Sequence, residues 1–307
     1  MRNKRVALSA ERYRERIRFQ ATDSPRRRHG RTARLRVLEF PSHMLQFPAI
    51  NPVALQLGPL AIHWYGLAYL AGIGLGWWVL NYRALRSEGR WSREEVADLV
   101  FYAAVGAVLG GRLGYGLFYN FAQYLNEPLA MLAVWRGGMS FHGGVLGFIC
   151  AMGWFTRRSG KSFFEIADFV LPVVPIGLFF GRIANFVNQE LWGAPSTLPW
   201  SVVFTVPAAG GLARHPSQLY EAGLEGLVLF AILNWLWHRR CARGVIAGAF
   251  LLGYGVFRFG IEFIREPDQH LGYLYGHWLT MGHVLSVPMA LAGAVMLLVA
   301  ARRSKLA

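Results

Sequence analysis

VIAGAFLLGYGVFRFGIEFI, residues 245–264, is the stretch on which the fold turns. It is as long as the helix of about 20 residues that crosses the hydrocarbon core of a bilayer. It is apolar except at Arg258 and Glu262. A charge near the bilayer centre costs about 2.5–3.5 kcal/mol on insertion scales, so each needs a physical reason to be there. The pattern predicts a membrane-crossing helix that carries part of a site.

Outward from this stretch, six further apolar blocks recur, near Tyr65–Tyr82, Val96–Phe118, Phe141–Phe155, Phe163–Phe186, Leu219–Trp237 and Trp278–Ala301. Together they predict an all-α integral membrane protein with seven transmembrane helices in one domain over 44–307. Composition agrees: 16% of the 307 residues are charged, against about 25% in a soluble domain. Gly106, Gly110 and Gly114 recur at four-residue spacing, which lets helix backbones approach closely. Cys150 lies in an apolar block and Cys241 among arginines, so two inert thiols are expected rather than a disulfide or a metal site. The segment 189–217 holds Pro195, Pro199, Pro207, Gly210, Gly211 and Pro216, which predict irregular, non-spanning chain.

The net charge of +15 does not point to nucleic acid, because it is distributed by loop. Alternate connections hold Arg83, Arg86, Arg90 and Arg93, then Arg157, Arg158 and Lys161, then Arg239, Arg240 and Arg243, then Arg302, Arg303 and Lys305. The intervening ones hold only Arg136 and Arg214. Positively charged short loops stay in the cytoplasm, so the first span is expected to begin outside and the C-terminus to lie inside. Residues 1–43 oppose this, since they carry 13 Lys/Arg without apolar periodicity. They are expected to be a disordered extension, with Met44-Leu-Gln-Phe-Pro as the natural start.

With this orientation, Tyr65, Arg112, His142, Arg182, Asn185, Arg258, Glu262 and Arg265 all fall in the outer half of the membrane, and nothing comparable marks the inner half. Arg265 and Glu262 are expected to pair. Arg112 either snorkels to headgroups or joins a site. No acid clearly pairs with Arg182. Two or three converging arginines at headgroup depth form a phosphate site, because guanidinium bonds phosphate bidentately and stays charged.

Several longer strings resemble the signatures of the prolipoprotein diacylglyceryl transferase family. They are His63-Trp-Tyr-Gly66, Gly137-Gly-Met-Ser-Phe-His142-Gly-Gly, GRIANFVNQELWG over 181–193, RHPSQLYE over 214–221, and YGVFRFGIEFIREPD over 254–268. The resemblance implies a multi-pass enzyme of the bacterial inner membrane with seven helices and an active site toward the periplasm. It implies that the enzyme moves the diacylglyceryl group of phosphatidylglycerol onto the lipobox cysteine of prolipoproteins, leaving a thioether and glycerol phosphate. Arg182 and Arg258 would hold the headgroup, and His142 would be the base. Tyr65, Asn185, Glu190, Gly193, Tyr254 and Glu262 match positions important for activity, with Arg265, Arg112 and His215 in support. The segment 189–217 would form a small periplasmic head that admits the lipoprotein. No metal or cofactor is implied, and the chain contains neither a P-loop nor a His-Glu-x-x-His motif.

Two rival readings compete. Gly138-Met-Ser140-Phe has the shape of a serine nucleophile turn, which with His283 would suit a rhomboid-type protease, though such a match is a weak signal. A lipid or anion transporter would use the arginines only to bind, but no internal repeat is visible.

Overall fold

The computed structural model describes residues 45–48, 50–121, 126, 127, 131, 137–267 and 272–306. The expectations for residues 1–43, for Met44 as a start and for Arg136 lie outside them. Seven helices dominate the described residues: α1 Trp64–Leu85, α2 Arg93–Tyr119, α3 Phe141–Ser159, α4 Phe163–Val187, α5 Ser217–His238, α6 Val245–Glu262 and α7 Met281–Leu306. Five of them, all but α1 and α3, are long and apolar enough to cross a membrane. The other two hold 22 and 19 residues, with apolarity diluted by Gly, Trp, Tyr and His. The last apolar block, expected near Trp278–Ala301, forms its helix from Met281, just after a turn at 275–279 held by a bridge between Tyr275 and Leu279.

Helices α2 and α3 run antiparallel, as do α6 and α7, and small residues set their spacing. Along α2 and α3, a Cβ on Gly110 would strike the backbone of Gly143 and Gly147, and one on Gly114 would sit 2.8 Å from Gly143 Cα. Along α6 and α7, a Cβ on Gly255 would stand 2.8 Å from Ala290 N. Outside these seams the bundle shows large apolar side chains. Leu70, Trp78, Phe101, Leu146, Trp154 and Leu298 are each more than half exposed. A surface this apolar is tolerated by lipid and not by water.

Local signals explain the helix ends. Ser92 and Glu95 form a reciprocal capping box at the start of α2, and Ser140 Oγ accepts from Gly143 N at the start of α3. Gly160 ends α3 at φ +68°, a conformation open to glycine. α4 narrows to a 3₁₀ turn at Leu171–Val173, which contains Pro172 and is followed by Pro175. Proline lacks the N–H that would satisfy a carbonyl one turn back. Side chains from other helices do so instead: Arg83 donates to Phe169 O at 3.2 Å and to Asn234 Oδ1, and Asn234 donates to Pro172 O at 3.3 Å. Asp168 accepts from Gly244 N at 2.6 Å and Ala247 N at 2.8 Å, capping α6 from α4. This corrects one expectation. The end of the bundle opposite the site has its own buried polar set, with Arg83 4% and Asp168 8% exposed. Arg83 is a buried strut of α1 rather than a loop charge, because the broken α4 backbone needs donors that lipid cannot supply.

The opposite end carries a small cap. A hairpin of β2 Val53–Leu57 and β3 Leu60–His63 leads into α1. A three-stranded sheet orders β1 Leu45–Gln46, β4 Val202–Val203 and β5 Ala213–Arg214, with β1 parallel and β5 antiparallel to β4. Phe47 and Phe204 bring the sheet down on Phe186 at the end of α4, with Phe47 and Phe186 ring centroids 5.2 Å apart.

Gly110→Ala is expected to lower bundle stability by about 1–3 kcal/mol through forced helix separation. Gly153→Ala, where an added Cβ meets open space, should be near neutral. Thermal unfolding in detergent checks both, and equal midpoints for the two variants would refute close α2–α3 packing.

Candidate active site

Three helix ends meet beneath the cap, and each contributes charge at a spacing set by the helix turn. The last turns of α4 carry Arg182 and Asn185. The first turns of α5 carry Glu221 and Glu225, four residues apart, where the helix widens to a π-turn over Ala222–Val228. The end of α6 carries Tyr254, Arg258 and Glu262, each four residues after the last, so all three line one face.

Arg182 Nε lies 2.6 Å from Glu221 Oε2, and its Nη2 lies 3.5 Å from Glu225 Oε2. Arg265 Nη1 reaches Glu221 Oε1 at 3.8 Å. Arg258 Nη2 pairs with Glu262 Oε2 at 2.7 Å. Two expectations are corrected here. Arg182 does have acidic partners, on a neighbouring helix. The ion pair that Glu262 makes is with Arg258, one turn earlier on α6, while Arg265 turns to Glu221. Three guanidiniums therefore face three carboxylates, and Glu221 and Glu225 are fully buried.

Charge is balanced, yet hydrogen bonding is not saturated. Among the described residues, Arg258 Nη1 and both carboxylate oxygens of Glu221 and of Glu225 have no hydrogen-bond partner. The arginines hold those two carboxylates at ion-pair range. A buried polar group left unpaired costs about 1–3 kcal/mol. The cluster therefore keeps a buried guanidinium nitrogen, Arg258 Nη1, without a hydrogen-bond partner, while its acids are held in ion pairs.

Around this core, Asn185 donates to Glu190 Oε1 at 2.8 Å, and Tyr65 of α1 stands beside both. The Tyr65 hydroxyl also meets Tyr69 Oη at 3.2 Å. Tyr254 stacks on Phe250 within the field of Arg182 and Arg258. Gly193 donates its N–H to His215 O at 2.9 Å, and a Cβ there would lie 2.6 Å from both His215 Cβ and Ile264 O. Only glycine fits where the cap crosses the end of α6. His215 itself meets Tyr220 Oη through Nδ1 at 3.4 Å, and burial holds its imidazole below the usual histidine range.

His142 and Arg112 lie apart. His142 is exposed in the first turn of α3, edge-on to Phe141. Among the described residues, no hydrogen bond or ion pair ties it to the arginine cluster. Arg112 is buried and does not snorkel. It donates to the carbonyls of Gly137 and Gly138 and to Met131 O at 2.8 Å, which pins the turn that presents His142. The protease arrangement fails at this point: Ser140 Oγ caps α3, whereas His283 Nδ1 meets Thr280. Sequence reasoning gave no role to Glu221 or Glu225. Two acids one turn apart at the start of an apolar block were the available signal.

A family model described as prolipoprotein diacylglyceryl transferase matches residues 52–299. Among similar curated proteins, the phosphatidylglycerol–prolipoprotein diacylglyceryl transferase of Methylococcus capsulatus is 56% identical over 263 residues, covering 85% of this chain and all of that protein. The proteins of the same name from Pseudomonas aeruginosa and Aliivibrio fischeri are 55% and 52% identical, covering 85% of this chain and 97% and 93% of theirs.

Removing one partner of a buried ion pair strands the other. Glu221→Ala is expected to destabilise the protein by about 3–5 kcal/mol, and Glu221→Ala/Arg182→Ala by less than the two single losses combined. Unfolding midpoints of the three variants test this coupling, and strictly additive losses would contradict it.

Proposed function

This chain belongs to the prolipoprotein diacylglyceryl transferase family, and on that premise we propose that Arg182 and Arg258 hold the lipid phosphate while the lipoprotein sulfur displaces it. The protein is a multi-pass membrane transferase that uses phosphatidylglycerol and a prolipoprotein. One observation carries the assignment of roles: a buried arginine cluster under the cap, in which Arg258 keeps a donor nitrogen without a partner. A phosphate oxygen alongside Nη1 would satisfy it.

All seven helices cross the bacterial inner membrane in this reading, with the start of α1 and the cap on the periplasmic side and the basic loops in the cytoplasm. The unequal loop charges support that orientation. The segment 189–217 is the periplasmic head, and it admits the lipoprotein beside the ends of α4, α5 and α6.

In the reaction, the lipobox cysteine sulfur attacks the glycerol carbon bearing the phosphate oxygen. A C–S bond forms, the C–O bond breaks, and glycerol phosphate leaves. A thiol with a pKa near 8.5 is only a few per cent ionised at neutral pH, so a base is useful. His142, held out by the turn that Arg112 pins, takes the proton. Such a base contributes about 10²–10⁴-fold. The larger demand is at the leaving group, where a diester monoanion becomes a monoester moving toward a dianion. Guanidiniums aimed there bind the transition state more tightly than the ground state, which is what accelerates chemistry. Tyr65, Asn185, Glu190, Gly193, Tyr254, Glu262, Arg265 and His215 shape and support the pocket, with no metal or cofactor in the scheme.

Arg258→Lys keeps the charge but loses the planar fork, and should lower turnover on the order of 10²-fold. His142→Gln removes the base and should leave measurable activity, since charge stabilisation at the leaving group is intact. The assay is purified protein with phosphatidylglycerol and a lipobox peptide, following the mass gained by the peptide. Wild-type turnover by Arg258→Lys would reject the phosphate role.

A further inference from the structure

Behind the Arg258–Glu262 pair lies a second layer of polar side chains that the chemistry above does not use. Glu262 spends one carboxylate oxygen on Arg258, and the other accepts the Thr280 hydroxyl at 2.6 Å. Thr280 Oγ1 in turn stands 3.1 Å from His283 Nδ1. Thr280 and His283 are buried at the start of α7, and the Glu262 carboxylate is 6% exposed. The hydroxyl has one proton. With that proton given to Glu262, His283 Nδ1 accepts the Thr280 backbone N–H at 3.3 Å, so His283 holds Thr280, Thr280 holds Glu262 and Glu262 holds Arg258.

The imidazole makes its polar contacts through Nδ1 alone. Nε2 is buried with no partner among the described residues. Phe259, Phe263 and Trp278 surround the ring, with centroids 4.8, 4.6 and 6.0 Å away. A phenylalanine would fill this collar without burying an unsatisfied nitrogen, so what histidine adds is the Nδ1 contact. The backbone is shaped to the same purpose. A Cβ on Gly282 would strike the Glu262 carboxylate, so α7 approaches that carboxylate closely only because glycine stands there.

We propose that Thr280 and His283 are positioning residues for the transferase reaction: they fix the Glu262 carboxylate, which holds the Arg258 guanidinium so that its unpaired nitrogen meets the lipid phosphate. The inference rests on Arg258 being a phosphate ligand. A guanidinium on a flexible stem loses rotamer freedom when it binds, and an anchored partner removes that loss beforehand. The effect should therefore appear in the use of phosphatidylglycerol and not in the use of the peptide.

The test separates KM for phosphatidylglycerol from KM for a lipobox peptide, using purified protein in micelles of defined phosphatidylglycerol fraction. Thr280→Val, close in shape but without the hydroxyl, should raise KM for the lipid on the order of tenfold, the usual scale for an outer-layer partner. KM for the peptide should stay unchanged. Thr280→Ser restores the hydroxyl and should recover lipid KM. His283→Phe should shift lipid KM in the same direction as Thr280→Val. Gly282→Ala, which displaces only the mobile end of Glu262, should raise lipid KM as well and serves if Thr280→Val folds poorly. In an Arg258→Lys background, Thr280→Val should add nothing further. Wild-type lipid KM in Thr280→Val and Gly282→Ala, with Arg258→Lys impaired, would overturn the positioning role. So would an undiminished Thr280→Val effect in the Arg258→Lys background, or a parallel rise in peptide KM. Wild-type lipid KM in Arg258→Lys would remove the phosphate reading itself, and this proposal with it.

Discussion

Charge buried in a low-dielectric interior must be compensated there, and the meeting of α4, α5 and α6 is arranged around that constraint. Arg182, Arg258 and Arg265 face Glu221, Glu225 and Glu262, and every ion pair described among them except Arg258–Glu262 crosses from one segment to another. Any helix withdrawn from this knot would strand a charge in lipid or protein, at several kcal/mol. The cluster therefore fixes where three helix ends stand relative to one another. It also leaves Arg258 Nη1 without a hydrogen-bond partner.

The rest of the bundle exists to hold that knot against lipid. Without a hydrophobic force between helices in a bilayer, close contact comes from small residues, and glycines at 110, 114, 143 and 147 bring α2 and α3 backbone to backbone. This seam carries the turn from which His142 projects, and Arg112 ties the turn to α2 by its carbonyls. At the far end, Arg83 and Asn234 satisfy the carbonyls freed where prolines break α4, and Asp168 caps α6. The break sits two to three turns before Arg182 on the same helix, so these struts also steady the arginine.

Much of this was legible in residues taken one stretch at a time. Helices α1 to α6 start and stop within a few residues of the apolar blocks, because hydropathy and caps such as Ser92 and Gly160 act locally. Arg182 and Arg258 stood out since a charge inside an apolar run is anomalous wherever it occurs. The partners were another matter. Glu262 lies three residues from Arg265 and four from Arg258, and spacing alone allowed either pair. Arg182 looked unpaired because Glu221 and Glu225 are some 40 residues away in the chain. Arg83 looked like a loop cation because nothing near it in sequence reveals the broken backbone of α4 that it serves.

The sequence by itself determined that the chain is a helical membrane protein and that its glycine-spaced blocks pack tightly. These properties follow from the solvent, which acts on each residue where it stands along the chain. Only the tertiary structure decided which carboxylate answers which guanidinium, that Arg112 grips a turn instead of reaching for headgroups, and that Thr280 and His283 stand behind Glu262. Coulomb interactions and hydrogen bonds fall off over a few ångströms in space, and distance in space is set by how helices pack rather than by separation in sequence.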